Sequence, residues 1–485
     1  MLPLVRANSQ ATPDGPSHLW ANTKRGLARL FAFALCAALV LAGTQTASAQ
    51  PRSGKGLPII RDAEIEQLLR DYLTPILKAA GLTSQNIQVV VINDRSFNAF
   101  VVDGRRIFVN AGALLDAKTP NQLIGVLAHE AGHIAGGHLA KIHRELAAAQ
   151  TTAILSMLLG LGAMAAGATT GAQGLTQAGM AGMAMQTNIT QRSLLSYQRA
   201  QEEAADRAGV RFLTATQQST KGMYETFKRL SENTLYMSQG ADPYMQSHPM
   251  PRERVAALEE LARTSPHWDK TDSPEAQLRH DFARAKLVGF TDRPDTVARR
   301  YPLSDTSLPA RYARAISAYR HSDLRAAISQ IDALIAASPN NPYFQELKGQ
   351  ALLENGRARE ALVPLRKAVA LAPNAPLIRI MLGQALVATN DAALANEAIS
   401  TLRTALLKDP DVPDGYRQLA MALGRKGENA EADLASARAA FVSGDIKTAR
   451  ELAGRARLHF PTGSPGWVKA DDIYTYKPPS GSRSN

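Results

Sequence analysis

The C-terminal half of this 485-residue chain repeats with a period of 34 residues. Three pairs of small or helix-ending residues recur at that spacing: Ala327 and Ala361, Pro339 and Pro373, Gly349 and Gly383. A period of this length corresponds to one helix–turn–helix unit, which buries its apolar face only by stacking on a neighbouring unit. The repeat therefore predicts an α-solenoid over residues 306–465.

The third unit of this array is longer than the first two. Pro410 follows Pro373 by 37 residues, which predicts a short insertion between Asp391 and Asn396. A generic helical bundle is the alternative, but three markers that share one period favour stacked repeats. Gly444 marks a further turn between helices, so the array is expected to continue past it.

Ahead of the repeats, apolar residues follow both helical and strand-like spacings. Residues 60–80 carry apolar side chains at helical spacing, and short β-rich runs follow at 89–92, 100–102 and 107–109. Turn pairs separate these runs, which predicts a small antiparallel sheet. Another helix is expected from about residue 121. The fold class predicted is mainly α with a small β-sheet.

The helix expected from residue 121 carries His129-Glu130-Ala131-Gly132-His133. Residues four apart on an α-helix share one face, so His129 and His133 can reach one ion. Zn²⁺ accepts neutral imidazole and prefers four ligands in a tetrahedron. Glu130 can accept a proton from the attacking water. The pattern predicts a zinc metallopeptidase site, with two structural histidines on a surface helix as the alternative.

A third ligand must come from elsewhere in the chain. The metzincin pattern requires a His six residues after His133, but Leu139 occupies that position. His138 comes one residue earlier and points away from the first two ligands if the helix continues. We therefore expect His138 at the surface or in a second layer around the site.

A glutamate on a later helix is the other source of a ligand. Glu202 and Asp206 lie in a helical run from about Ser196 to Leu213 and share one helix face. Glu202 would bind the ion, and Asp206 would accept from the far nitrogen of a ligand His and fix its tautomer. Glu203 is expected to be a solvated charge. The alternative for Glu202 and Asp206 is that they form an ordinary acidic helix face.

The N-terminal 49 residues have the layout of a signal peptide. Three cations precede an apolar stretch at residues 30–43, and residues 47–49 supply the small side chains of a cleavage site. The only cysteine, Cys36, would leave with this segment, which suits an oxidising compartment. We therefore expect a secreted protein, and the resemblance given below implies the periplasm as its destination.

Residues 152–185 are rich in Ala, Gly and Met and nearly free of charge. Glycines divide the stretch into pieces shorter than the ~20 residues that span a bilayer, which argues against a transmembrane hairpin. We expect a lid or a segment that touches a membrane peripherally. The net charge of +12 suits an anionic surface, whereas no run of cations interleaved with aromatics indicates nucleic-acid binding.

The His-Glu-x-x-His motif with the later Glu-x-x-Ala-Asp run resembles the gluzincin peptidases that include the CAAX prenyl protease and HtpX. The likeness covers roughly residues 60–260. It extends to three further places: Asn98-Ala99-Phe100, the Gly104–Leu114 hairpin, and His248-Pro249 with Arg254. The resemblance implies one Zn²⁺ per chain and a substrate strand that adds to the sheet edge beside residues 98–100.

For His248 and Arg254, the resemblance implies positions beside the metal, where both can stabilise the oxyanion of the tetrahedral intermediate. His248 could instead occupy the fourth ligand position and hold the enzyme closed. A loop histidine before proline, without a role at the site, is the remaining alternative.

The 34-residue units resemble tetratricopeptide repeats, and the whole chain resembles periplasmic gluzincins that enhance β-barrel assembly. This implies an endopeptidase that degrades misassembled or unfolded envelope proteins, with outer-membrane protein assembly factors docked on the repeats. A chaperone or assembly scaffold with minor or repressed proteolysis is the alternative. The domains expected are a signal peptide (1–49), a peptidase domain (50–270), a linker (271–305), the repeats (306–465) and a tail (466–485).

Overall fold

The computed structural model describes most of the chain beyond the expected signal peptide, namely residues 58–142, 144–145, 196–236 and 243–478. The signal peptide expected at 1–49 and the Gly/Ala-rich segment expected at 152–185 lie outside these residues. Within the described ranges, no helix combines the length and the apolar character needed to cross a membrane.

The peptidase region contains a four-stranded sheet and eight helices among its described residues. The strands are β1 Ile59–Ile60, β2 Gln88–Ile92, β3 Ala99–Val101 and β4 Arg106–Asn110. The helices are α1 Ala63–Ala79, α2 Ala111–Asp116, α3 Pro120–Ala135, α4 over residues 138–142, α5 over residues 196–215, α6 Lys221–Tyr236, α7 Pro243–Ser247 and α8 Arg252–Arg263. The helices predicted at 60–80, from 121 and at 196–213 are confirmed as α1, α3 and α5.

The sheet is mixed, with strand order β1-β2-β4-β3. β2 and β4 run parallel, whereas β1 pairs antiparallel with β2 and β3 pairs antiparallel with β4. The expectation of an antiparallel sheet is therefore wrong. Ile107 and Val109 of β4 are fully buried, so β4 takes an inner position. The short strand β3 forms one edge of the sheet, and the chain turns at Asp103 to enter β4.

Helix α3 is the central element of the peptidase core. It begins where the Thr119 hydroxyl accepts a hydrogen bond from Gln122 N and Pro120 occupies the first turn. Leu123 and Leu127 are fully buried against α1 and the sheet. These contacts hold the His-Glu-x-x-His stretch in the middle of the domain.

The repeat region consists of two leading helices and five antiparallel helix pairs. The leading helices are α9 Pro274–Thr291 and α10 Pro294–Arg300. The pairs are α11 Leu308–His321 with α12 Leu324–Ala337, α13 Pro342–Glu354 with α14 Ala358–Leu371, α15 Pro376–Ala388 with α16 Ala395–Lys408, α17 Pro413–Arg425 with α18 Asn429–Val442, and α19 Ile446–His459 with α20 Pro465–Tyr474.

Close packing within each pair explains the 34-residue period. A Cβ placed on Gly349 would lie 2.4 Å from the Leu365 side chain, and one on Gly383 would lie 2.5 Å from Leu402. Glycine therefore recurs where the two helices of a pair touch. The insertion predicted between Asp391 and Asn396 contains a short 3₁₀ helix, Ala392–Leu394.

Helices extend into the two segments expected to be a linker and a tail. The expected linker 271–305 contains α9 and α10, and the expected tail 466–485 contains most of α20, whose Ile473 is buried. Serine and proline begin a helix at each place. Ser273 accepts from Ala276 N, Ser464 accepts from Trp467 N, and each is followed by Pro at the first helical position.

A buried ion cluster joins the peptidase core to the repeats. Lys286 of α9 is 4% exposed, and its Nζ lies 2.7 Å from Asp62, 3.4 Å from Glu346 and 3.5 Å from Glu64. The Tyr312 hydroxyl donates to Glu64 at 3.1 Å. Burial raises the pKa of Glu64 and of Glu346 to about 7 against the attraction of Lys286. One cation therefore holds three acidic side chains from the start of α1 and from α13.

Lys286→Met should strongly destabilise the protein, because it leaves the acidic side chains buried without their cation. We expect the free energy of unfolding in urea to fall by about 3–5 kcal/mol. Lys348→Met is the matched control, since Lys348 pairs with Asp332 in an exposed position. That change should cost at most about 1 kcal/mol. Equal losses of unfolding free energy in the two variants would contradict the stabilising role of Lys286 in the buried cluster.

Candidate metal centre and active site

Helices α3 and α5 approach closely because both present small residues at their contact. A Cβ on Gly132 of α3 would lie 2.8 Å from the backbone oxygen of Ala205 in α5. A Cβ on Gly209 would lie 3.3 Å from the backbone nitrogen of His129. The close approach brings Glu202, one turn from Ala205, to the histidines of α3.

Four side chains converge on one point in the interior. Ligand atoms of His129, His133, Glu202 and His248 lie within 4.8 Å of one another. The Nε2 atoms of His129 and His133 are 3.0 Å apart, and His248 Nδ1 lies 3.3 Å from His129 Nε2 and 3.0 Å from Glu202 Oε2. Three imidazoles and one carboxylate form a donor set that suits Zn²⁺.

The electrostatics of the cluster favour a cation at its centre. His129 Nδ1 lies 2.9 Å from the Asp206 carboxylate, so Nε2 points at the other ligands. Burial alone would lower the pKa of His129, but Asp206 and Glu202 raise it to about 9. Burial lowers the pKa of His133 to about 3, which leaves its imidazole neutral and able to bind a metal. A divalent ion bound at this point would supply the positive charge that balances the carboxylates of Glu202 and Asp206.

Glu130, the residue predicted to act as the base, lies beside this cluster. Its side chain is fully buried, and neither carboxylate oxygen has a hydrogen-bond partner among the described residues. His248 Nε2 lies 3.6 Å from Oε1. Burial raises the pKa of Glu130, which moves the carboxylate toward the basicity that proton abstraction at neutral pH requires.

Arg254 contacts both acidic residues of α5. Its Nε and Nη2 donate to the two oxygens of Asp206 at 2.7 and 2.8 Å, and its Nη1 lies 2.9 Å from both Glu202 Oε2 and the Pro249 carbonyl. The residue is 7% exposed. These contacts suit a residue that positions Glu202 and Asp206, and the oxyanion role expected for Arg254 stays a prediction.

Comparisons with known proteins agree with this geometry. Residues 60–262 match Peptidase family M48, and residues 312–376 and 352–421 match tetratricopeptide repeats. Residues 60–262 are an M48 metallopeptidase domain.

Relatives named for β-barrel assembly share more than the M48 domain. The Beta-barrel assembly-enhancing protease of Yersinia pestis is 24% identical over 415 residues, which is 84% of this chain and 82% of that protein. The protein of the same name from Escherichia coli K12 is 24% identical over 322 residues, 64% and 63% of the two chains. The solved structure MamA MSR-1 C2 covers 38% of the chain at 19% identity, and its TM-score of 0.29 is too low to support a fold argument.

His138 is a residue of the M48 site whose place the sequence left open. Helix α3 ends at Ala135, and Gly137 adopts a φ of 60°, which turns the chain back toward the site. His138 Nδ1 then lies 3.0 Å from His133 Nδ1, and the ring is 7% exposed. His138 is therefore in the second layer, where it orients the His133 ring. The Gly136-Gly137 pair was the sequence signal for this reversal.

Tyr244 holds His248 from the side opposite the ligands. The two rings stack at 4.6 Å with an angle of 27°, and His248 N donates to the Tyr244 carbonyl at 2.7 Å. Tyr244 is itself enclosed by Phe97 and Phe227, with ring centroids at 5.5 and 5.9 Å. The sequence contained no motif that singles out Tyr244.

The edge strand of the M48 domain contains two of the three residues predicted to bind substrate. Asn98 lies directly before β3, and its backbone oxygen accepts from Asn110 N of β4. Since successive residues of a strand direct their backbone groups to alternate sides, Ala99 and Val101 face away from β4, whereas Phe100 faces it. Of the first two, Val101 is partly exposed and Ala99 is fully buried. The Phe100 ring stacks on Phe108 at 5.4 Å.

Asp206→Asn should weaken metal binding without removing a ligand atom. Loss of the charge weakens the support of His129 and leaves Arg254 with Glu202 as its remaining carboxylate partner, so we expect metal affinity to fall by about 10- to 100-fold. Metal content after titration with a chelator measures this. Glu203→Gln is the matched control, because Glu203 is exposed on the same helix and pairs only weakly with Arg207. If both variants retain metal as well as the parent does, Asp206 does not support the metal ligands.

Proposed function

We propose that this chain is a zinc endopeptidase of the cell envelope that degrades misassembled or unfolded proteins, among them outer-membrane β-barrels. The proposal rests on the buried set of His129, His133 and Glu202 beside the Glu130 carboxylate. Among the described residues, that carboxylate has no hydrogen-bond partner. The names of the Yersinia and Escherichia relatives support the link to β-barrel assembly. The repeats would dock partner proteins on their extended surface.

In this mechanism, His129, His133 and Glu202 would hold the metal, and Glu130 would transfer the proton. Zn²⁺ would polarise the scissile carbonyl and the attacking water. Glu130 takes a proton from that water and delivers it to the leaving amine. Asp206 keeps His129 in the tautomer whose Nε2 faces the metal, and Arg254 keeps Asp206 ionised.

The substrate would bind as an added strand on β3. Val101 is partly exposed, and its outward backbone groups can pair with an extended peptide, whereas Ala99 is fully buried. β3 packs against α3, which carries Glu130. Binding through backbone groups depends little on side chains. Weak sequence preference and a requirement for unfolded substrates follow from this geometry.

A scaffold with repressed proteolysis is the second candidate, and the position of His248 favours it in the observed state. A catalytic zinc site keeps one coordination position for water or substrate, whereas four protein ligands close it. His248 Nδ1 lies among the other ligand atoms. We propose that His248 is the closing ligand and that peptide hydrolysis requires its departure.

Glu130→Gln should abolish proteolysis and leave metal binding intact. Removing the general base is expected to lower casein cleavage by about 10²- to 10⁴-fold. Metal analysis of the same preparation provides the control for folding and ligand geometry. A deletion strain complemented by Glu130→Gln separates the two candidates, because a scaffold needs no base. Full casein cleavage by this variant would refute the peptidase mechanism.

His248→Ala should raise peptide cleavage, because it frees the fourth coordination position. The initial rate on a short fluorogenic peptide, measured with saturating zinc, tests this. His321→Ala, an exposed histidine of the repeat region, serves as the control and should leave the rate unchanged. A rate below that of the parent would instead assign His248 to oxyanion stabilisation.

A further inference from the structure

A second sheet edge, on the side away from the metal site, is also open. Gln88 N–H of β2 donates to Arg105 O on the β4 side, so the next residue, Val89, directs its backbone groups to the opposite side. On that side β1 covers only Val91 and Ile92. No described residue forms a hydrogen bond there with the N–H or C=O of Val89.

The edge is open because the chain leaves the sheet immediately after β1. Asp62 accepts a hydrogen bond from Ile65 N and thereby begins helix α1. An extended continuation of β1 would have occupied the place beside Val89. The geometry of this turn therefore leaves room for one further strand in line with β1.

The open edge lies inside a cleft between the sheet and the repeats. The cleft has a volume of about 710 Å³ and is bounded by β2, by α1 and by the loops at Asn374 and Pro410. Arg61 crosses one end of it, because its guanidinium binds Glu66 of α1 and Asp409 of the repeats. This size is typical of ligand-binding pockets, which span roughly 300–1,000 Å³.

The charge of the cleft is not balanced. Arg61 is paired with Glu66 and Asp409, but Arg70 and Lys408 have no ion-pair partner in the described part of the chain. Lys408 Nζ donates to Asn374 Oδ1 at 2.8 Å and to the Pro373 carbonyl at 3.2 Å. Both acceptors are uncharged, so they fix the ammonium group on the wall of the cleft without neutralising its charge. Two cations thus face the space beside the free edge.

We propose that this cleft binds an extended polypeptide segment that carries acidic groups and adds to β2 beside Val89. The backbone groups of Val89 require an extended chain, as in other complexes formed by strand addition. Arg70 and Lys408 select a segment with a carboxylate. Two strand spacings, roughly 10 Å, separate β2 in this cleft from the β3 edge. Binding of a peptide in the cleft does not depend on the proposed peptidase activity.

Fluorescence anisotropy on the full chain tests this binding. The chain carries Glu130→Gln, so that the probe is not cleaved, and the probe is a short fluorescent Thr/Val peptide ending in Glu with a free carboxylate. Arg70→Gln and Lys408→Gln should each weaken binding by about 3- to 5-fold, and added salt should weaken it further. Arg293→Gln removes an equally exposed charge away from the cleft and should have no effect.

Two changes test strand addition itself. Val89→Pro removes the N–H donor at the edge and should abolish binding, with circular dichroism and thermal unfolding as checks of folding. The same peptide methylated at its backbone nitrogens should not bind the parent chain. An amidated peptide with Gln in place of Glu should bind less tightly.

Three outcomes would overturn the proposal. The first is an absence of binding by the parent chain. The second is unchanged affinity in Arg70→Gln and Lys408→Gln, which would place the peptide elsewhere, for example on β3. The third is full binding of the methylated peptide, which would show that charge alone holds it.

Discussion

The Asp206 carboxylate connects three helices, and the arrangement of the metal ligands depends on it. It lies 2.9 Å from His129 Nδ1 on α3 and accepts two hydrogen bonds from Arg254 on α8. Burial opposes ionisation of Asp206, but the guanidinium overrides it and holds the pKa below its usual range. The arrangement of the four ligand residues therefore depends on the Asp206–Arg254 ion pair, and neither member of that pair belongs to the ligand set. Arg254 also contacts Glu202, so one cation aligns both acidic residues of α5.

A buried cation paired with several acidic side chains also joins the peptidase core to the repeats. Lys286 lies close to three acidic side chains, and burial raises the pKa of two of them, Glu64 and Glu346. Asp62 has two roles there, because it begins helix α1 and binds Lys286. Its neighbour Arg61 reaches Asp409 in the repeats. The turn at residues 61–62 thus ends β1, starts α1 and holds the repeats, and the same turn leaves the β2 edge uncovered.

Periodic features were predictable from the sequence, because each depends on residues close together in the chain. The 34-residue spacing predicted the helix pairs, and the i, i+4 spacings placed His129 with His133 and Glu202 with Asp206 on shared helix faces. Contacts between distant residues were not predictable in this way. The parallel pairing of β2 with β4 depends on which strand is buried, and the Lys286 cluster brings together residues more than 200 positions apart.

The roles of individual polar residues were harder to predict than their proximity to the site. Arg254 was expected near the metal and lies there, but its donors are engaged by Asp206, Glu202 and Pro249. A sequence pattern cannot show which acceptors an arginine will meet. His138 depended likewise on the left-handed turn at Gly137, which ends α3 before the helix carries that side chain away.

The closed arrangement of the site has a structural consequence for how it opens. His129, His133 and Glu202 are carried by long helices whose contact at Gly132 and Ala205 leaves little room for movement. His248 is carried by the segment after α7, a helix of only five residues, and is followed by Pro249. Its restraints are the Tyr244 stack and contacts with the other ligands. Because short elements unfold locally at lower cost than long packed helices, we infer that His248 is the member of the proposed ligand set that leaves while the other three stay in place.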